Sequence, residues 1–449
     1  MKLFKSTDSG APTLDGQAGS LLNVLNSCLI VNKVFTTADD ASFTDRTTEA
    51  QLRGGTAFNL LPTGVSGDRI YIGMTTKFGK CRFDLDTVGI GGTYVFEYWN
   101  GSAWTALTVV NGTSGFTADG QVTWTEPGSW ATNAVNSVTQ YWIRVRASAA
   151  PSTVPTVNCL SVTDWQREFD GTAGAVYRAN TGNRLYLNVN DNGPGAGTTQ
   201  EARVVGYETM TAFATGTNLF PTAAQQATQL FVRKSAAANG TARAWKVAAD
   251  HRTFYFQCVS GDTASMYYGM AFGEVYSYLS GSDSWNTILI ARSTENNTGG
   301  TVENLDAVSG GVSAFSTAQN GHYIARRSAG TGGSLNCDKY PLLGVFLVGA
   351  GSGFDAPSGL SYPNESDGGL YLSPVIVGFD NIGTKIRGHM RGMWWAAHPK
   401  ASFADGDTVS GTGALAGKSF EVVKGGPGLT ASTLTSCIFY EVSDTVDVN

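Results

Sequence analysis

Two β-branched and aromatic runs, Thr93–Trp99 (TYVFEYW) and Ser102–Val109 (SAWTALTV), flank the dipeptide Asn100-Gly101. Few short patterns restrict a chain so tightly. Asn and Gly tolerate the positive φ of a type I′ turn, so the runs are expected to fold back on each other as an antiparallel hairpin. A second pair follows. Gln121–Thr125 alternates apolar and polar residues. Gln140–Arg146 (QYWIRVR) puts Tyr141, Ile143 and Val145 on one face and Trp142, Arg144 and Arg146 on the other, the pattern of a half-buried antiparallel strand. Upstream, Asp68–Gly73 and Cys81–Leu85 alternate in the same way. Together these segments predict roughly six to eight short strands with turn signals at the spacing of a sandwich or jelly roll. The polar stretch 36–60 reads as the entry to this module, and Pro151–Pro155 as an extended connector that closes it.

The rest of the chain agrees with a β-rich reading. In 449 residues there are 56 Gly, 10 Trp and 17 Tyr, and only 15% of residues are charged, while 42% are hydrophobic. That is too apolar for disorder and too rich in Gly and aromatics for a helical protein. The length allows two or three domains. The net charge of −6 and the lack of basic runs argue against binding nucleic acid through its phosphates. The six cysteines, Cys28, Cys81, Cys159, Cys258, Cys337 and Cys437, form no CxxC or Cys-His cluster, so no zinc site is expected. Buried thiols and disulfides both remain open for them. Asp8, Asp15 and Asn23 interrupt any apolar core in Met1–Asn26, so a secretory leader is not expected, and no 18-residue apolar run predicts a membrane span.

Residues 1–18 read as an extended arm. Gly19–Val31 carries Leu21, Leu22, Val24, Leu25, Cys28 and Leu29 at helical spacing, with Ser20 placed to cap the start. About three turns are marginal alone, so this helix must pack on something. Core packing and docking on a neighbouring subunit through Leu21, Leu22, Leu25 and Leu29 are both open. Beyond residue 163 the chain shows strand patterns at Arg184–Val189, Ala202–Tyr207, Gln229–Lys234, Thr253–Val259, Ser265–Phe272, Trp285–Ala291, Gly321–Arg326, Leu342–Val348, Leu370–Val377 and Cys437–Val442. No fixed period marks a solenoid or propeller, and no ten-residue helix is expected after residue 31.

The opening KLFKSTDSGAPTLDGQAGSLLNVLNSCL resembles the start of a family of tailed-bacteriophage structural proteins. The segments Ala202–Met210, Ala242–Phe256, Tyr267–Tyr278, Asp367–Val377, Arg387–Trp395 and Phe403–Val423 resemble the same family, so the likeness covers most of the chain. TYVFEYWNGSAWTAL is similar to a β-module of phage tail and baseplate proteins. In the family the opening helix runs quickly into a segment matched here by Trp165–Gly171, whereas some 130 residues intervene in this chain. The resemblance therefore implies a sandwich of 36–162 inserted into a larger β-rich domain made of 1–35 and 163–449. Loops tolerate such insertions where their ends lie close together. It also implies a virion component, assembled in the host cytoplasm, with itself and other virion proteins as partners.

Catalytic patterns are weak by comparison. Asp250-His251 lies in a strand-like run that would point the two side chains apart, which argues against a dyad. His389 and His398 flank Trp394-Trp395 and would meet only across a turn, and His322 stands alone. Gly349–Gly353 lacks the Lys-Ser/Thr of a phosphate loop and the strand-turn-helix setting of a nucleophile elbow. Glu97, Glu208 and Glu274 sit in aromatic strands, but a glycosidase needs two facing carboxylates at a set separation. Tyr98, Trp99, Trp104, Trp124, Trp130 and Trp142 are concentrated in 45 residues of sequence. They fit either a packed core or a platform on which a glycan ring stacks through Tyr98, Trp99 and Trp104. The expectation is a mainly β, non-enzymatic homo-oligomeric structural protein of a virion, with no metal or cofactor. It would sit at the tail or baseplate periphery or decorate the capsid. A glycan-binding adhesin is the alternative, and a polysaccharide depolymerase a more remote one.

Overall fold

The computed structural model describes residues 1–192, 199–220, 230–261, 267–276, 286–292, 320–324, 338–339, 342–344, 361–377, 388–396, 398, 402–423 and 438–442. The protein is mainly β, with several antiparallel sheets and, among the described residues, two α-helices. It divides into two compact units. One comprises Met1–Thr7, Thr13–Leu22 and the described part of Gly171–Asp444, and the other contains Asp8–Pro12 and Asn23–Asp170. The second unit is wider than the 36–162 module drawn from sequence. Lys33–Thr37 is one reason, since it hydrogen-bonds along Arg69–Met74 as a strand of that unit.

In the Asn23–Asp170 unit two antiparallel sheets face each other. One runs, in spatial order, Thr44–Asp45, Lys33–Thr37, Arg69–Met74, Val138–Thr153, Ile90–Trp99, Trp104–Ala106, with Asn133–Val135 also paired to Val138–Thr153. The other runs Phe58–Asn59, Thr156–Ser161, Lys80–Thr87, Gly120–Thr123, Val110–Asn111. Alternation explains the core between them. Ile70, Ile72, Ile143, Val145 and Phe96 point inward and are buried. Phe116 is a central contact, its ring 4.9 Å from that of Phe83 on one sheet and 4.7 Å from that of Tyr94 on the other. A turn with φ +64° at Phe116, whose N–H donates to Thr113 Oγ1 at 3.0 Å, delivers that ring.

Two local expectations need correction. The Asn100-Gly101 hairpin forms, but not as a two-residue type I′ turn. Trp99 pairs with Trp104, leaving a four-residue loop in which only Gly101 has positive φ, +98°. Asn100 acts through its side chain instead. Its Oδ1 accepts from the N–H groups of Ser102 and Ala103 at 2.9 and 2.8 Å, an Asx turn. The expected connector at Pro151–Pro155 is strand as far as Thr153. Register shifts on both sides of Pro151, which lies opposite Gly91, accommodate a residue with no N–H to give the ladder.

In the other unit a large antiparallel sheet runs Lys2–Lys5, Trp245–Ala249, Thr253–Val259, Tyr267–Glu274, Thr287–Arg292, Leu230–Arg233, Glu201–Ala212, Tyr186–Asn190, Gly174–Ala179. A smaller one runs Leu342–Gly344, Leu372–Val377, Gly388–Ala396, Ile438–Val442, Ser419–Val423, Thr408–Ser410. Their facing side chains form one core. Ala248, Tyr255, Ala271, Ile288 and Ile290 meet Val375, Val377, Met390, Met393, Ile438 and Tyr440, and the rings of Tyr255 and Tyr440 stack at 5.2 Å. Met1 lies in this core, and the terminal ammonium donates to Glu441 O at 2.9 Å.

The predicted helix is present as Ser20–Leu29. Ser20 is its first residue rather than its side-chain cap, and its hydroxyl donates to Asp15 O at 2.8 Å. The free N–H groups of the first turn are met from far along the chain. Asp191 Oδ2 accepts from Leu21 N at 2.8 Å and Leu22 N at 3.4 Å.

Candidate functional site

Charged and aromatic side chains meet on the face of the hairpin sheet that points away from the inter-sheet core. Register builds it. Phe35, Tyr71, Arg144, Glu97 and Ala106 are directly opposed on successive strands, so one row of side chains crosses the sheet. The neighbouring row on the same face holds Lys33, Gly73 and Trp142, with the Trp99–Trp104 pair at the sheet edge. Gly73 is required there by close approach. A Cβ at that position would stand 2.5 Å from Cζ3 of Trp142 and 2.4 Å from Oε1 of Gln140.

The loop between Lys33–Thr37 and Thr44–Asp45 folds over this face. Thr37 Oγ1 accepts from the N–H groups of Asp39 and Asp40, and Asp39 Oδ1 from those of Ala41 and Ser42. The bonds from Ser42 and Ala41 hold the Asp39 carboxyl below its usual range. The tight turn puts Asp40 at φ +60° and sets Phe43 against the sheet. Asp40 accepts from the Tyr71 hydroxyl at 2.6 Å and pairs with Arg69. Arg144 donates through Nε to Glu97 Oε2 at 2.8 Å, and Arg146 Nε lies 3.5 Å from the same oxygen. The Arg144 guanidinium lies 4.5 Å from the centre of the Trp104 ring, worth about 1 kcal/mol where partly desolvated. Burial raises the Tyr71 phenol above its usual range, opposed by its hydrogen bond from Arg144.

The three aromatic residues expected to form a platform are therefore divided. Trp99 and Trp104 are a cross-strand edge-to-face pair, ring centres 5.6 Å apart, both half-buried. Tyr98 points to the opposite face, where its hydroxyl is 3.1 Å from Ser129 Oγ and its ring 6.5 Å from that of Trp130. Trp142, placed by alternation on the face away from the core, is fully buried in a second cluster with Phe35, Tyr71 and Val135. Sequence periodicity showed which residues share a face. It did not show that the 37–44 loop and Asn133–Val135 would cover that face, nor that Asp40 would reach Tyr71 and Arg69.

Leu21, Leu25 and Leu29 are fully buried within the chain and Leu22 is 9% exposed. The catalytic candidates also have structural partners. Asp250 and His251 do not point apart. They lie in the turn after Trp245–Ala249, where Asp250 Oδ2 accepts from Arg391 Nε at 2.9 Å and His251 Nε2 lies 3.5 Å from Arg391 Nη2. His389 stacks on Tyr276 with ring centres 5.0 Å apart, and burial, with Arg391 nearby, lowers its pKa. His398 has different neighbours. Its Nε2 accepts from Tyr371 N at 2.7 Å, and Nδ1 lies 2.9 Å from Ser361 O. His322 lies on the strand Asn320–Ile324. Glu208 accepts from Asn218 Nδ2 at 2.7 Å, and Glu274 pairs with Arg252 at 3.1 Å. Gly349–Gly353, Cys337 and Cys437 lie outside the described residues. Among the described residues no group of three His, Cys, Asp or Glu is arranged to hold a metal, and no helix is long and apolar enough to cross a membrane.

No protein-family model matches the chain, and no curated protein matches it.

Proposed function

We propose that the protein is a structural component of a tailed-phage virion, assembling with itself and other virion proteins at the tail or baseplate periphery or on the capsid. The observation that carries this reading is how the described titratable groups are used. Lys80–Asp164, Arg233–Glu201 and Arg391–Asp250 are buried pairs inside β units. A buried charge is tolerated when it is paired, and such pairs fix register and packing rather than turning over a substrate. The family resemblance of the opening segment and of the later motifs supports the same reading. Electron cryomicroscopy of the intact particle containing this chain is the test. Density for many symmetry-related copies in the tail, baseplate or shell is expected. Particles of normal composition and shape from a host in which the gene is deleted would refute the proposal.

One observation favours a second reading, a glycan-binding adhesin. Trp99 and Trp104 remain half-exposed at a sheet edge beside Arg144 and Glu97, which is how a stacking surface with adjacent polar groups is built. Saturable binding to host-surface glycan, lost in Trp99→Ala while the fold is kept, is the expected result. Equal binding by wild type and Trp99→Ala would exclude this edge as the site.

A further inference from the structure

Lys234 and Asp191 are both fully buried, and their side chains are in direct contact through Nζ and Oδ1. Each is fixed by its backbone. Lys234 N donates to Gln200 O at 2.9 Å, just past the strand Leu230–Arg233. Asp191 N donates to Ala173 O at 2.7 Å, just past Tyr186–Asn190. The strand Glu201–Ala212 pairs with both of those strands, so the two residues are held at the same end of three adjacent strands. The second carboxylate oxygen, Oδ2, faces the start of the helix Ser20–Leu29 and accepts from Leu21 N at 2.8 Å and Leu22 N at 3.4 Å. The site thus brings together a primary amine, a carboxyl carbon beside it, and two backbone N–H groups aimed at the oxygen that would carry negative charge during attack on that carbon.

We infer that Lys234 and Asp191 join autocatalytically in an intramolecular isopeptide bond, with release of one water. The atoms balance without any co-reactant. A proton passes from the Lys234 ammonium to the carboxylate, leaving a neutral amine and a carboxylic acid. A dry interior lowers the cost of that transfer, because burial works against both charged forms. Burial acts in this direction on both partners. It pushes the Asp191 carboxyl up to about 6 against the opposing effects of Lys234 and the two N–H bonds, and it lowers the Lys234 ammonium. The Nζ lone pair then attacks Cγ. The C–N bond forms while the carbonyl π pair moves onto Oδ2, where Leu21 N–H and Leu22 N–H hold the oxyanion. A second proton moves from nitrogen to Oδ1, the Cγ–Oδ1 bond breaks, and water departs as the carbonyl reforms. Nζ and Oδ1 are in direct contact, so that proton moves between them without a relay. Proximity supplies much of the drive, since fixed partners react as if at very high local concentration.

The other buried pairs show what singles this one out. Arg233–Glu201 is equally buried, but a guanidinium stays protonated and is not a nucleophile. Lys80–Asp164 is also a buried amine–carboxylate contact, but it lies where strands Lys80–Thr87 and Trp165–Gly171 begin, not at a helix start. It is the internal control.

The test is mass spectrometry on the full-length chain, purified and then denatured and reduced. The expected intact mass is that of the sequence less one water. A proteolytic map should contain a branched peptide joining the Asp191 and Lys234 segments, with the Lys80 and Asp164 segments recovered unlinked. Lys234→Arg keeps a cation beside Asp191 but cannot attack, so its mass should equal that of its sequence. An unmodified wild-type mass overturns the inference, as does a water loss that maps elsewhere. Should Lys234→Arg fail to fold, the wild-type map decides alone. The outcome is independent of whether the chain belongs to a virion.

Discussion

At the scale of single residues, Gly73 and Trp142 show what alternation reveals and what it hides. The pattern QYWIRVR correctly separates Ile143 and Val145 from Trp142 and Arg144. It cannot show that Trp142 lies over a glycine on the next strand and packs beside Phe35 and Tyr71, because those contacts come from distant parts of the sequence. The consequence is sharp. Gly73→Ala places a methyl where the Trp142 ring already is, and overpacking of this kind costs roughly 1–3 kcal/mol. The variant should unfold at lower urea, with no change in the slope of the transition. Unchanged stability would mean that the ring is free to move aside. Asp164 belongs to the same scale. Asp164→Ala leaves the Lys80 ammonium buried without its partner, a loss of about 3–5 kcal/mol. Replacing both, as Lys80→Met with Asp164→Leu, should recover most of that loss in the same denaturation experiment. If the double variant is no better than the single, burial of the lone ammonium is not the cause.

At the scale of elements, the hairpin was legible because its signal is local. Aromatic runs on both sides of Asn100-Gly101 leave few alternatives, although the turn itself differs from expectation. Asn100 works as an acceptor for two backbone N–H groups rather than as a residue of positive φ. Asn100→Ala should therefore cost about 1 kcal/mol, whereas Asn100→Asp, which keeps the acceptor but gives up the Nδ2 bond to Thr105 Oγ1, should cost less. A type I′ turn would tolerate Asn100→Gly, which keeps φ freedom, whereas the Asx turn loses its acceptor in that variant, so Asn100→Gly measured by thermal unfolding separates the two accounts. The helix was legible for the same local reason, through the spacing of Leu21, Leu25 and Leu29. Its true cap was not. Asp191 reaches the first turn from 170 residues downstream, and no window centred on Ser20 contains it.

At the scale of the whole molecule, sheet-rich burial was readable from composition, while the pairing order was not. Strand order depends on contacts between distant segments, such as Lys2–Lys5 beside Trp245–Ala249. Burial at this scale also shapes the response to pH. Desolvation pushes the Cys159 thiol up to about 12 and raises the Cys81 thiol and the Tyr255 phenol well above their ordinary values. Each folded-state pKa lies above its unfolded value. The stability they contribute is therefore fully present below pH about 8.5, the ordinary thiol range, and is lost as pH rises toward 12. For Cys159 alone, a thiol pushed up to about 12 corresponds to roughly 4 kcal/mol across that window. Urea midpoints measured at reducing potential should be level from pH 7 to about 8.5 and then fall steadily. Cys159→Ala removes one of the titrating groups, so its midpoint, lower at neutral pH through the lost packing, should fall less steeply above pH about 9. Parallel slopes for wild type and variant would show that Cys159 ionises as readily in the folded chain as in the unfolded one, and that its burial is not maintained in solution.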